Sequence, residues 1–281
     1  MNILDGRKTA HSFEAKIRAE VTALKEKHGR EPKLVVVLVG DNPASMAYVK
    51  SKEKASKRVG INGVTMRFPS TITEAELLGT VLKLNEDETV DGMIVQLPLP
   101  THINSDNILN HIAPHKDVDG LSFINAGKLA NRQYGLLPAT PKGVMMLLDH
   151  YKVQYEGKDA VVVGASNLVG SPMAKLLLHR GATITVCHSK TKDLASHTKR
   201  ADILVVATGV VNLIRGEMVK KGAIVVDVGI NRVDGKIVGD VNYDEVKEKA
   251  ALITPVPGGV GPMTINALMF NVLEAFKNRH Q

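Results

Sequence analysis

Leu34-Val-Val-Val-Leu-Val39 is apolar at six consecutive positions. A strand with one wet face alternates apolar and polar residues. A run that is apolar throughout must be covered on both faces, which is the condition of a strand inside a parallel sheet. Gly63–Phe68, Met93–Leu97, Ala160–Val163, Thr183–Cys187, Ile203–Ala207, Ile224–Val228 and Ile253–Val256 also read as strands. Helix-period segments alternate with them. Lys8–His28 carries Ala10, Phe13, Ile17, Val21 and Leu24 at helical spacing and stops at Gly29. Asn42-Pro43 opens the next helix, and Thr73-Glu-Ala-Glu76 is a capping box. Ser171–Arg180 and Pro262–Lys277 are helical, the latter with Leu268, Val272 and Ala275 on one face. Val233-Asp-Gly-Lys-Ile237 predicts a hairpin. The fold class is therefore α/β.

Strand–helix series occupy both halves of the chain, separated by an irregular stretch from Pro114 to Pro141. From Thr140-Pro141 a helix runs through Tyr151. A length of 281 residues suits two ordinary domains. The expected architecture is an N-terminal α/β domain over 1–118, joined by the helix 262–281, a connection over 119–140, and a C-terminal Rossmann-like domain over 141–261, with a cleft between the two domains.

Cys187 is the single cysteine, so no intrachain disulfide and no Cys-rich zinc cage can form. One thiol fits a reducing cytoplasm. The N-terminus carries Asp5 and no apolar core of a signal peptide, and no apolar run approaches the ~18 residues that span a bilayer. Net charge is +7, without a Lys/Arg block and with 5 Phe, 5 Tyr and no Trp. That favours anionic small molecules over nucleic acid. His111 and His115 alone have metal-like spacing, and Pro114 breaks the helix they would need, so no metal is expected.

Five segments carry candidate chemistry. Val161-Val-Val-Gly164-Ala-Ser166-Asn-Leu-Val-Gly170 runs from a strand through a glycine turn into a helix, the geometry in which helix N–H groups hold a pyrophosphate. An ordinary tight turn is the alternative. About 20 residues on, where NAD enzymes carry an acid for the ribose, stand Ser189, Lys190 and Lys192, which suit a 2′-phosphate; a solvated basic loop is the alternative. Tyr48 and Lys52 share a helix face, and a lysine beside a ring in a partly apolar cleft can serve as acid and base. Gln96 ends a buried strand, where open α/β sheets bind ligands, or else bonds the following loop backbone. In Lys116-Asp117-Val-Asp119-Gly120 one acid is free for a ligand while the other pairs with Lys116, or both simply form an Asp-Gly turn. A sixth segment, Thr254-Pro-Val-Pro257-Gly-Gly-Val-Gly261-Pro-Met-Thr264, has more special residues than a plain turn needs.

Tyr48-Val-x-x-Lys52, Val95-Gln96-Leu-Pro-Leu-Pro100, Lys116-Asp-Val-Asp119-Gly, Gly164-Ala-Ser-x-x-Val-Gly170, Val228-Gly-Ile230-Asn and Pro257-Gly-Gly-Val-Gly-Pro-Met-Thr264 together resemble the bifunctional methylenetetrahydrofolate dehydrogenase/methenyltetrahydrofolate cyclohydrolase (FolD) family, in family order and across nearly the whole chain. The resemblance implies NADP-dependent oxidation of 5,10-methylenetetrahydrofolate to the methenyl form, then hydrolysis to 10-formyltetrahydrofolate, in the one-carbon metabolism that feeds purine biosynthesis. It implies a cytoplasmic homodimer without nucleic-acid or membrane partners. It makes 1–118 the folate-binding catalytic domain and 141–261 the NADP-binding domain. Lys52 becomes the acid–base residue, Tyr48 packs on the folate rings, Gln96 tunes Lys52, and Asp119 binds the pterin amidine edge. Leu97, Pro98, Pro257, Gly258, Gly259 and Val260 complete the substrate site. Gly164, Ala165, Ser166, Ser189, Lys190 and Ile230 contact NADP. Some members carry Arg at position 165 or 189; with Ala165 and Ser189, phosphate binding leans on Ser189 and Lys190, and NAD is the lesser cofactor. Two rivals stand against this implication. A dehydrogenase without cyclohydrolase activity is opposed by the joint presence of Tyr48, Lys52 and Gln96. The other is a basic nucleic-acid-binding protein that has lost catalysis.

Overall fold

A computed structural model describes residues 3–280 as two compact units. Ser12–Ala139 with 265–280 forms the first, and 3–11 with Thr140–Thr264 forms the second.

In chain order the first unit contains α1 (Gly6–His28) from Ser12 onward, β1 (Lys33–Val39), α2 (Pro43–Val59), β2 (Asn62–Phe68), α3 (Glu74–Glu86), β3 (Gly92–Val95), α4 (Ser105–Asn110) and α5 (Phe123–Ala130). Its three strands pair in parallel in the order β2-β1-β3. Side chains alternate across a strand, so the apolar run of β1 feeds two cores. Leu34, Val36 and Leu38 pack with Ile17 and Val21 of α1, Val49 of α2, and Leu268 and Phe276 further along the chain. Val35, Val37 and Val39 pack with Leu77 and Val81 of α3 and Ile108 of α4. Each such side chain stabilises the fold by about 2 kcal/mol. The capping box at Thr73 forms as expected, with Thr73 and Glu76 satisfying each other's backbone N–H groups.

The second unit contains α6 (Ala139–His150), β4 (Asp159–Val163), α7 (Gly170–His179), β5 (Thr183–Cys187), α8 (Leu194–Thr198), β6 (Ile203–Val206), β7 (Ile224–Asp227), β8 (Asn231–Val233), β9 (Lys236–Val238), α9 (Tyr243–Val246), β10 (Leu252–Ile253) and the start of α10 (Val260–Arg279). Its five-stranded parallel sheet has the order β10-β7-β6-β4-β5. β8 and β9 form the expected hairpin, with Asp234 and Gly235 both at positive φ.

Two sequence expectations need correction. The stretch 119–139 is not a connection. It belongs to the first unit and holds α5, Leu129 and Leu136, all packed into that unit or its margin. And residues 3–11 cluster with the second unit: Leu4 N–H donates to Ile253 O at 2.8 Å, placing the segment beside β10.

Candidate active site

α2 is fixed at both ends. The Asn42 side chain accepts from Ala44 N at 3.0 Å and Ser45 N at 3.1 Å, and Gly60, at φ +85°, closes the helix with its N–H on Ser56 O. One turn apart on this helix, Tyr48 is exposed and Lys52 half-buried, whereas Lys50 and Lys54 face solvent. β3 extends by one more backbone bond, Gln96 N to Val37 O at 2.9 Å, which brings the Gln96 side chain to Lys52. Lys52 Nζ donates to Gln96 Oε1 at 3.0 Å, while Gln96 Nε2 donates to Leu97 O at 2.7 Å. Gln96 thus forms the expected tie to the following loop backbone, and its oxygen is taken by Lys52. The Leu97 carbonyl also accepts from Ser45 Oγ at 3.4 Å, tying the strand end to α2; the Leu97–Pro98 peptide is cis, and Pro98 is exposed.

The Lys116–Gly120 segment separates its two acids. Asp117 is buried and spent on its own turn. Its oxygens accept from Gly120 N (3.0 Å), Ser122 N (2.8 Å) and Asn125 Nδ2 (3.0 Å). Gly120 sits at φ +70°, where a Cβ would meet the Leu137 carbonyl carbon at 2.5 Å. Lys116 pairs with neither acid, contrary to expectation. Its buried ammonium caps the C-terminal end of α3, donating to Leu84 O, Asn85 O and Asp87 O at 3.0, 2.7 and 2.8 Å. These helix-end carbonyls supply what a carboxylate would; the Asp87 carbonyl also accepts from Val90 N at 3.1 Å. The Lys116 carbonyl in turn accepts from Met93 N at 2.8 Å, so the segment is pinned to β3.

Asp119 remains, and it interacts electrostatically with Lys52. Burial drives the Lys52 ammonium below the usual lysine range, and the Asp119 charge partly restores it. Burial drives the Asp119 carboxyl upward, Lys52 opposes this, and Asp117 adds to it. Desolvation thus biases both groups toward their neutral forms while their attraction favours the ion pair. A lysine so placed is held closer to its neutral form than a solvated one, as a group that gives and takes a proton requires.

In the second unit the strand order turns back between β4 and β6, the point at which open α/β sheets receive ligands at their carboxyl ends. Gly164 follows β4 at φ +117°, and a Cβ there would collide with Ala207 O beyond β6. A Cβ on Gly170 would collide with Gly164 O. Both glycines are therefore required for the chain to turn this tightly into α7, a geometry in which helix N–H groups can hold a pyrophosphate. Ala165 and Ser166 are exposed within the turn, and Ser166 Oγ accepts from Val169 N at 3.2 Å. After β5 come exposed Ser189 and Lys190, in a loop closed by His188 Nδ1, which accepts from Lys190 N at 3.2 Å. Ile230 is exposed beyond β7. The segment 254–261 is anchored by Thr254, whose hydroxyl accepts from Asp227 N at 2.7 Å, and by Arg7 N donating to Gly258 O at 2.9 Å. Pro257, Gly258 and Gly259 form a tight turn in which Gly258 takes φ +112°, and Val260 opens α10. Gly6 packs against Gly259 with no room for a side chain.

The sequence reading missed two buried carboxylates in this unit, Asp227 and Asp240. The available signal was an acid ending the apolar run Ile224–Val228. Among the described residues no group of three His, Cys, Asp or Glu side chains could hold a metal.

Family models for this arrangement match both parts of the chain. The tetrahydrofolate dehydrogenase/cyclohydrolase catalytic domain matches residues 4–119, and the NAD(P)-binding domain of the same family matches residues 138–280. A bifunctional protein FolD from Wolinella succinogenes is 54% identical over 282 aligned positions, covering 100% of this chain and 99% of that one. The crystal structure of the bifunctional FolD enzyme from Campylobacter jejuni superposes with a TM-score of 0.97 at 53% identity, with 99% of each chain covered. That of the Trypanosoma brucei dehydrogenase-cyclohydrolase, complexed with NADP cofactor and inhibitor, gives 0.94 at 39%, covering 99% and 97%. The chain belongs to the tetrahydrofolate dehydrogenase/cyclohydrolase family.

Proposed function

We propose that Lys52 carries the proton transfers of a bifunctional folate enzyme, oriented by Gln96 and opposed by Asp119. The enzyme oxidises 5,10-methylenetetrahydrofolate to 5,10-methenyltetrahydrofolate with NADP, then hydrolyses the product to 10-formyltetrahydrofolate. The observation that carries the assignment is the 3.0 Å bond from Lys52 Nζ to Gln96 Oε1 on a desolvated lysine.

Hydrolysis begins with water attack on an amidinium carbon. The attacking water must lose a proton, and the ring opens when its nitrogen gains one. Because Gln96 Nε2 is committed to Leu97 O, its oxygen faces Lys52 and takes one N–H. That fixes the direction of the amine lone pair, which accepts the water's proton and returns it to the leaving nitrogen. Asp119 supplies an acceptor for the amidine edge of the pterin. Once that edge answers the Asp119 charge, the support that Asp119 gives the Lys52 ammonium is lost and the lysine is biased further toward the neutral form that the reaction needs. Tyr48, one turn from Lys52, packs on the folate rings, with Leu97, Pro98 and 257–260 as further substrate contacts.

When bound, NADP would supply the hydride acceptor. Gly164, Ala165 and Ser166 with the start of α7 would hold its pyrophosphate, Ser189 and Lys190 its 2′-phosphate, and Ile230 its nicotinamide end. The reading makes 12–139 with 265–280 the folate-binding part and 3–11 with 140–264 the NADP-binding part. A homodimer is supported by β2, a seven-residue edge strand, largely exposed, with one free edge. A cytoplasmic location is supported by the buried free thiol of Cys187.

The test is absorbance at the methenyltetrahydrofolate band with methylenetetrahydrofolate and NADP or NAD in parallel. Appearance and then decay of the band, faster with NADP, is expected. A band that forms but decays only at the uncatalysed rate would remove the second activity.

A further inference from the structure

Two buried carboxylates, Asp227 at the end of β7 and Asp240 after β9, have no role in the assignments above. Asp240 Oδ2 accepts from Thr208 N (2.6 Å), Thr208 Oγ1 (3.0 Å) and Gly209 N (2.9 Å), and Oδ1 accepts from Asn231 Nδ2 at 2.8 Å. Asp227 Oδ1 accepts from Gly229 N and Asp240 N, and Oδ2 accepts from Val241 N at 2.9 Å. Side chains on Gly229 and Gly239 would run into these carboxylates, so the backbone is drawn directly onto them.

The location gives the arrangement meaning. Thr208-Gly209 follows β6, one of the two strands at which the sheet order reverses, and Gly164 of the other strand packs on the neighbouring Ala207. Gly229-Ile230 follows β7. These two loop ends border the dinucleotide position, and neither has a ladder partner to fix it. We propose that Asp240, supported by Asp227, is a positioning residue for the cofactor. It laces the loops after β6 and β7 together so that Thr208-Gly209 and Ile230 stand where the nicotinamide half of NADP is received. The proposal rests on the cofactor reading above.

The two activities of one chain supply the control, because the cyclohydrolase step uses Lys52, Gln96 and Asp119 of the first unit and consumes no NADP. In Asp240→Asn, the amide must turn a donor toward either Asn231 or the Thr208-Gly209 donors. Loss of a charge-assisted bond of this kind is expected to raise the KM for NADP by about tenfold. Thr208→Val removes only the hydroxyl bond and should raise it about threefold. Hydrolysis of methenyltetrahydrofolate should keep its wild-type kcat in both. Asp202→Asn is the comparison: Asp202 lies at the opposite end of β6, bonds Lys220 and the Asp159 N–H, and its loss weakens the same unit without reaching the loops. It should leave the KM for NADP unchanged. The proposal is overturned if Asp240→Asn and Thr208→Val bind NADP like the wild type, if Asp202→Asn raises the KM as much as they do, or if both activities fall together in Thr208→Val. If Asp240→Asn fails to fold, Thr208→Val alone decides. A wild-type enzyme that reduces neither NADP nor NAD would instead sink the cofactor reading on which this stands.

Discussion

Asp119 in the first unit and Asp240 in the second are both desolvated carboxylates, and they are answered in opposite ways. Asp240 is saturated: four donors from Thr208, Gly209 and Asn231 surround it. Asp119 faces the charge of Lys52, and burial pushes both groups toward neutrality. A carboxylate already satisfied by its own chain can only hold things in place. One whose charge is still unsettled can be completed by a ligand and can change a neighbour's proton affinity. The same distinction separates the two lysines. Burial pushes both ammonium groups down, but Lys116 is fully capped by three carbonyls, whereas Lys52 has one amide oxygen.

The contrast breaks most visibly at Lys52. Lys52→Met should lower cyclohydrolase kcat by about 10²–10⁴-fold while NADP binding and the fold persist. Decay of the methenyl absorbance checks this, and a wild-type rate would exclude Lys52 from the chemistry. Lys116→Met should do the reverse. It strands the Leu84 and Asn85 carbonyls, so stability should fall by about 3 kcal/mol, measured by denaturant unfolding, with a smaller effect on kcat. Asp227 sharpens the comparison through pH. Burial, with the nearby Asp240 charge adding, holds its carboxyl up at about 6 against the pull of its three N–H donors. The folded state therefore binds this proton more tightly than the unfolded chain does. Its contribution runs toward greater stability as pH falls through that value. Relative to Asp227→Asn, the wild type should gain about 2 kcal/mol on going from about pH 7 to about pH 4. A constant difference across that range would refute the shift. The smallest effect belongs to Lys190→Ala, an exposed contact. KM for NADP should rise only about three- to fivefold, and less for NAD.

What could be read in the sequence follows from the same physics. Leu34–Val39 and the strands β4, β6 and β7 declare themselves because burial on both faces leaves no room for polar residues. Tyr48, Lys52 and Gln96 are legible because helical spacing and a strand end place them. α5 escaped because Phe123 and Ile124 are exposed while Asn125 and Leu129 are buried, so no apolar stripe marks it. The Lys116 cap escaped because its partners are main-chain carbonyls about 30 residues away, and any residue carries a carbonyl. Asp240 is invisible for the same reason, since three of its four donors sit in a loop some 31–32 residues distant.

Neither unit is contiguous along the chain. Residues 3–11 are made first yet pair beside β10, and Leu268, Val272 and Phe276 of α10 complete a core whose central strand is β1. During vectorial synthesis, the first unit must wait for its closing helix until every strand of the second has left the ribosome. Cutting the chain near residue 139 would release two fragments, each missing part of its own interior.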